Sequence, residues 1–424
     1  MQVVPARQRP SLGASWPMAV VVIAVLILPA IRTAPASATQ KIVQWDWFDK
    51  STKEGGPWWT YVEEQLRAWG VEFEMGIGWD EAKVPISISS GVVIDGIQIP
   101  FHQAANWTEL GLLYPITDFL ERDPTISIED FVPGSFDPVT KDGEIYALPW
   151  IMDFELILVN VDLFRELGID PKVTDDWDWD IFLDVAKKLT RFDASGDVTR
   201  AGFAAWLNRW TWTTFLFANG GRFFNEGETA AAFNSQQGLE ALEFLTEMHL
   251  EHRVVQPGFE GEEAFISGLS GMTLSGPWVE AFFSFPMEFD FAMIPRGPSA
   301  SRPSTRAWIN YRAIPATTSD PELAWKYLSW YNAQRGVKYQ MIGTHRSPYL
   351  PFYFTPEWEA SLYERPWNHK IPQMLQLATL DPQRGAGHWS DPVNGLIMEA
   401  INGTRSPVDA LTQAETIVNA ALRR

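Results

Sequence analysis

Asp142-Gly-Glu-Ile-Tyr-Ala-Leu-Pro-Trp150, Leu156-Ile-Leu-Val159 and Trp179-Asp-Ile-Phe-Leu-Asp-Val-Ala-Lys-Lys-Leu-Thr190 follow one another closely in this chain. The middle run is short, apolar and β-rich. The last places Trp179, Phe182, Leu183, Ala186 and Leu189 on one helical stripe behind Asp178. Three further β-rich runs, Ile42-Val-Gln-Trp45, Val92-Val-Ile94 and Phe289-Asp-Phe-Ala-Met-Ile294, alternate with helical stretches such as the one after Ser235, with Leu239, Leu242, Leu245 and Met248 on one face. Strands alternating with helices predict an α/β protein whose sheets are covered by helices. Asp320-Pro321, Thr355-Pro356, Asp391-Pro392 and Ser406-Pro407 each set a capping residue before a proline suited to a first helical turn, and predict four helix starts.

Composition narrows the function. The chain has 424 residues, 21 tryptophans and no cysteine. Tryptophan is a flat apolar platform with one N–H donor, a shape that suits the apolar face of a sugar ring. Most tryptophans are core residues, so the informative ones are those interleaved with polar residues in loops. Absence of cysteine removes disulfides, thiolate metal sites and thiol nucleophiles. The formal net charge of −20 disfavours nucleic acid and anionic lipid as partners.

At the N-terminus, Arg7 and Arg9 precede an apolar run from Met18 to Pro29 and the small-residue stretch Ala34-Pro-Ala-Ser-Ala38. This order predicts a cleaved secretory signal over residues 1–38, and the apolar run falls short of the roughly 20 residues that span a bilayer. With no cysteine to acylate, the expectation is a soluble periplasmic or secreted protein and not a lipoprotein.

Catalytic signatures are scarce. Glycine-rich nucleotide loops, H-E-x-x-H and G-x-S-x-G are missing, so neither a cofactor nor a metal site is expected. Asp193-Ala-Ser-Gly-Asp197 begins like a calcium loop, but Val198 and Ala204 occupy the glycine and glutamate positions, which predicts an Asx turn. Paired carboxylates are enough for a glycosidase, and Asp46, Asp49, Asp153 and Glu155 flank candidate platforms. A glycoside hydrolase or lyase therefore stays open on the residues alone.

The blocks quoted at the outset, with Asn160-Val-Asp-Leu-Phe-Arg-Glu-Leu-Gly-Ile-Asp-Pro171 between them, resemble the central part of the extracellular solute-binding proteins of ATP-binding-cassette sugar importers. Ala218-Asn-Gly-Gly221, Phe233-Asn-Ser235, Gly271-Met-Thr-Leu-Ser-Gly-Pro-Trp278 and Ala313-Ile-Pro-Ala316 continue the resemblance in the same order. Two departures are Ser90-Gly-Val-Val-Ile-Asp95, with isoleucine where the family has proline, and the long approach Asp175-Asp-Trp-Asp178.

The resemblance implies a two-lobed, type II periplasmic binding protein fold with discontinuous lobes and a hinge crossed three times. Residues 39–150 and 297–332 would form one lobe, and 151–296 and 333–424 the other. The crossings would fall near Trp150–Phe154, Pro295–Arg302 and Asn332–Gly336. It implies a monomer that holds a carbohydrate between its lobes and delivers it to a membrane permease, or feeds a sensor kinase. Matched positions are Asp49 and Lys50 after the first strand, His102 and Gln103, Asp153 at the hinge, and Asn208 and Trp210 on the second lobe. Trp278 matches a stacking tryptophan, and Trp389 and Asn394 fall near another tryptophan and an arginine. Trp45, Trp47 and Trp308 join them because each lies at a strand end where such folds open onto a cleft.

Overall fold

A computed structural model describes residues 40–47, 50–51, 55–76, 79–333, 346–364, 368 and 371–423. The signal segment 1–38 and Asp49 lie outside these residues. None of the described helices is long and apolar enough to cross a membrane.

Among the described residues eleven of thirteen strands make two main sheets, and β4 and β5 pair with each other. In chain order they are β1 (Lys41–Trp45), β2 (Glu72–Met75), β3 (Gly96–Ile99), β4 (Thr140–Lys141), β5 (Glu144–Ile145), β6 (Ala147–Phe154), β7 (Leu156–Asn160), β8 (Arg191–Phe192), β9 (Val198–Ala204), β10 (Ser270–Ser275), β11 (Phe289–Ala292), β12 (Thr305–Ala313) and β13 (Ala378–Leu380). The first sheet runs β13-β12-β3-β1-β2 with β6 also on β12, and the second runs β11-β7-β10-β9-β8. β1 pairs in parallel with β2 and β3, and β9 with β10, as the strand–helix alternation predicts.

The predicted helix over Trp179–Leu189 forms, capped by Asp178, whose carboxylate accepts from the Ile181 N–H at 3.0 Å. Its stripe packs into the second lobe's core with Ile157 and Val159 of β7, Phe203 of β9 and Phe215. The intervening residues of β7, Leu156 and Leu158, enter a different core that contains Ile99, Trp107 and Ile309. Period-two alternation thus divides one strand between two hydrophobic cores. Gly202 of β9 is obligatory for this packing, because a Cβ there would collide with the backbone carbonyl of Ala186.

Asp320, Thr355 and Ser406 cap helices as predicted, accepting from Leu323, Trp358 and Asp409 N–H groups at 3.1, 3.3 and 3.1 Å. Asp391-Pro392 does not start a helix. The helix Ala386–Ile401 begins earlier and carries Pro392 within it, anchored by Trp389, whose indole N–H donates to the Arg384 carbonyl at 2.9 Å. Asp193 does form an Asx turn, accepting from Ser195 and Asp197 N–H groups at 2.8 and 3.0 Å.

The chain passes between the sheets three times. The first passage is the single residue Glu155, between β6 and β7. The second lies between β11 and β12, where Pro295–Arg302 was expected. The third expectation, Asn332–Gly336, falls largely outside the described residues. From Arg346 onward the described chain pairs with the first sheet and its neighbours: Arg346 bridges Met152, Tyr349 bridges Phe131, and β13 pairs with β12. Among the described residues a passage to the second lobe falls at Asp381–Gly385, just before Ala386–Ile401 packs on that lobe's core. A three-residue edge strand carries no sequence signature strong enough to reveal this.

Gly202→Ala should destabilise the protein by about 1–3 kcal/mol, the usual cost of overpacking a rigid neighbour. A lower denaturant midpoint at unchanged slope would register it; an unchanged midpoint would show that the sheet and helix can separate without cost.

Candidate functional site

The register of β6 against β12 builds the floor of the site. Trp308 lies opposite Asp153, and the Glu155 N–H donates to the Arg306 carbonyl at 3.0 Å. Directly opposed residues share a sheet face, and so do residues two apart. Asp153, Glu155, Arg306 and Trp308 therefore occupy one face of a single ribbon.

Charge is concentrated at its end. Arg306 donates to Glu155 at 2.9 Å and to Asp381 at 2.6 Å, and Arg209 of the second lobe stands 3.7 Å from Asp381. Thr214 donates to the other Glu155 oxygen. All four charged residues are buried. Burial pushes the Glu155 carboxyl above its ordinary range, against the pull of Arg306 and the Thr214 hydroxyl. Burial alone would depress the Arg306 guanidinium, but Asp381 and Glu155 outweigh it and raise it.

Aromatic rings continue from this floor into both lobes. Arg306 lies over Trp308 at 4.9 Å and Phe101 at 5.7 Å. Phe101 contacts Trp308 at 5.6 Å and His102 at 5.1 Å between ring centroids. From the second lobe, Trp278 reaches Trp308 at 5.3 Å. Its ring folds back over Gly276, where a Cβ would collide with it, so the Gly-Pro-Trp motif works as a seat for the indole. Trp45 is seated in the same way against Gly76.

His102, Gln103, Asp153, Trp278 and Trp308 are thus joined through contacts centred on Phe101 and Trp308. Glu81 fixes the first two, accepting from His102 Nε2 at 2.9 Å and from the Gln103 amide. Trp45 is nearly buried under Lys83, and Trp47 meets Trp79 edge-on at 5.5 Å. Among the described residues the exposed tryptophans are Trp47, Trp206 and Trp210, at 37%, 61% and 39%.

Four expected contacts have other partners, three within the fold and one on the surface. Trp389 is fully buried against Phe223 at 4.8 Å, because the helix that carries it packs on the second core. Asn208 is the N-cap of the helix Arg209–Ala218 and accepts from Trp210 and Thr211 N–H groups. Asn394 accepts from the Arg209 N–H at 2.9 Å, and Lys50 pairs with Glu63. Sequence reasoning missed Phe101, Trp79, Glu81, Trp206, Arg209 and Arg306. Two signals pointed to the arginines: Arg209 sits between two selected residues, and Arg306 lies one strand period from Trp308.

Comparison with known proteins agrees with this architecture. The family model described as bacterial extracellular solute-binding protein matches residues 70–338. A mannitol-binding protein of Pseudomonas aeruginosa is 24% identical over 375 residues, covering 79% of this chain and 82% of the relative. An ABC substrate-binding protein from Listeria monocytogenes in complex with cycloalternan superposes with a TM-score of 0.75 at 21% identity, over 91% of this chain and 99% of that one. The cyclic alpha-maltosyl-1,6-maltose binding protein from Arthrobacter globiformis gives 0.75 at 20% identity, over 90% and 99%. These structures share the type II periplasmic binding protein fold.

Two outcomes follow from the geometry. A methyl group at Gly276→Ala should unseat Trp278 and alter the fluorescence of the Trp278–Trp308 pair, whereas an unchanged spectrum would mean that the ring is not held there. A raised carboxyl binds its proton more tightly in the folded than in the unfolded chain, so Glu155 loses stabilising value as pH rises through its folded-state range. The stability of wild type relative to Glu155→Gln should therefore decline above about pH 4.5. Melting curves across pH read this, and a flat or rising difference would mean that the pairing with Arg306 outweighs burial.

Proposed function

We propose, because this chain belongs to the bacterial extracellular solute-binding protein family, the binding components of sugar ABC importers, that it captures a neutral carbohydrate between its lobes and passes it to membrane permease subunits. The observation that carries the substrate class is the aromatic and charge-balanced floor. Trp308 and Trp278 present rings from the hinge ribbon and the second lobe, and Trp210 is exposed on the second lobe. Arg209 and Arg306 face Glu155 and Asp381, two guanidiniums against two carboxylates, while Asp153 adds a further acid. A phosphodiester or sugar acid would meet that acid, whereas hydroxyl groups can both donate to it and accept from the arginines. We assign ligand contact to Trp45, Trp47, His102, Gln103, Asp153, Trp210, Trp278 and Trp308.

The rings and acids of both lobes can act together only when the lobes approach, so ligand affinity for the closed arrangement would drive closure. We place the mature N-terminus near Thr39 and the protein in the periplasm or outside the cell. Two of the four carboxylates that left hydrolysis open are engaged, Asp46 with Arg312 and Glu155 with Arg306, which supports binding over turnover.

A thermal-shift panel of polyols and mono-, di- and trisaccharides tests this reading. A bound sugar at a hundred times its dissociation constant should add about 2.7 kcal/mol to stability. Small-angle scattering should show compaction, and Asp153→Asn should cost about 1.5–3 kcal/mol of affinity, the range for hydrogen bonds to a charged group. Release of product that disappears in Asp153→Asn would overturn transport in favour of hydrolysis.

A further inference from the structure

Arg209 opens the helix Arg209–Ala218 and is 3% exposed. Its guanidinium lies between the rings of Trp210 and Trp389, at 5.3 and 5.2 Å, which fixes its plane. The nearest acid, Asp381, is 3.7 Å away, beyond hydrogen-bond distance, and the same Asp381 oxygen already accepts from Arg306 Nε at 2.6 Å. Nε and Nη1 of Arg209 have no hydrogen-bond partner in the protein. Neighbouring acceptors are in use: Glu155 serves Arg306 and Thr214, Asn394 the Arg209 backbone N–H, and Asn208 the N–H groups of Trp210 and Thr211.

Buried donors on a charged group are rarely left unpaired, because desolvating them without a partner is costly. A site that tolerates this in a rigid, ring-clamped arginine is arranged for acceptors from elsewhere. The Nε–H and Nη1–H vectors lie in the guanidinium plane and diverge, which suits oxygens at two separate positions. Since the local carboxylates already balance both guanidiniums, uncharged oxygens fit better than an anion. A sugar ring resting on the exposed Trp210 would bring its hydroxyl edge beside these donors.

Building on the carbohydrate-binding reading above, we propose that Arg209 is a specificity-determining residue that donates to a hydroxyl oxygen of the sugar stacked on Trp210. It selects sugars by the orientation of that hydroxyl, while Trp210 selects only for an apolar ring face.

Arg209→Met keeps the length of the side chain between the two rings and removes its donors. Calorimetric titration of wild type and variant with maltose, maltotriose, mannobiose and mannitol, and with the monodeoxy series of whichever binds tightest, reads the effect. The variant should bind the parent sugar roughly ten- to a hundredfold more weakly. For the deoxy sugar lacking the recognised hydroxyl, wild type and variant should agree within about twofold, the signature of a direct coupling. The unliganded variant should melt at a lower temperature, since Asp381 and Glu155 lose one of their two balancing guanidiniums, and affinity is therefore compared per folded molecule. Arg209→Lys, a point donor, should restore only part of the affinity. Unchanged affinity with a lowered melting temperature would make Arg209 a structural partner of Asp381 and overturn the proposal, and so would an equal loss across all deoxy sugars. If wild type binds none of the four probes, the carbohydrate reading fails and the role of Arg209 falls with it; if wild type binds and Arg209→Met binds equally well, only the role of Arg209 fails.

Discussion

Each passage of the chain between the two sheets delivers one buried charge to a common point. Glu155 is the first passage, Arg306 follows the second and Asp381 opens the third, and Arg209 meets them from the second lobe. Charges removed from water are tolerable only when paired, and removing one partner of such a group typically costs about 3–5 kcal/mol. Three segments far apart in sequence must therefore arrive in fixed register. The backbone answers this need: the Glu155 and Asp381 N–H groups donate to the carbonyls of Arg306 and Ala307 at 3.0 and 2.7 Å. The hinge is thus a short sheet with an ionic lock.

That lock also positions the aromatic floor. Arg306, held by two carboxylates, supports Trp308 and Phe101, and Trp308 in turn supports Trp278 from the other lobe. The rings are placed by charges and by glycines rather than by their own burial. Gly276 and Gly76 matter as much as the tryptophans they seat, because a side chain at either would occupy the ring's place. Motion of one lobe against the other would change contacts at Trp278 and Arg209, while the β6–β12 ribbon keeps the floor intact.

A second buried ion pair, Arg312 with Asp46, serves stability in the first lobe. Arg312 is clamped between Trp150 and Tyr331, each 3.9 Å from its guanidinium, and donates to the Tyr331 hydroxyl at 2.8 Å. Trp58 and Trp59 pack around the same tyrosine. Tryptophan abundance therefore has two sources, cores built around buried arginines and a cleft lined with platforms, and sequence counts alone cannot separate them.

Local sequence determined the α/β class, the capped helices after Asp178, Asp320, Thr355 and Ser406, and the Asx turn at Asp193, because these depend on neighbours within a few residues. Collinear motifs gave the family and placed Trp278, Asp153 and His102 near one another. Trp389, Asn208, Asn394 and Lys50 match ligand positions in the motifs but are spent on a core, a helix cap, a helix anchor and a surface pair. Their fate depends on partners such as Phe223 and Glu63 that no local pattern names. The third passage lies at Asp381 because β13 finds β12, a pairing across more than sixty residues. In the sequence Glu155 reads only as one of four candidate acids, and Arg209, Arg306 and Asp381 carry no signature of burial. Only the tertiary structure decided that they meet in a buried cluster, since burial and mutual neutralisation exist only once three distant segments are brought together.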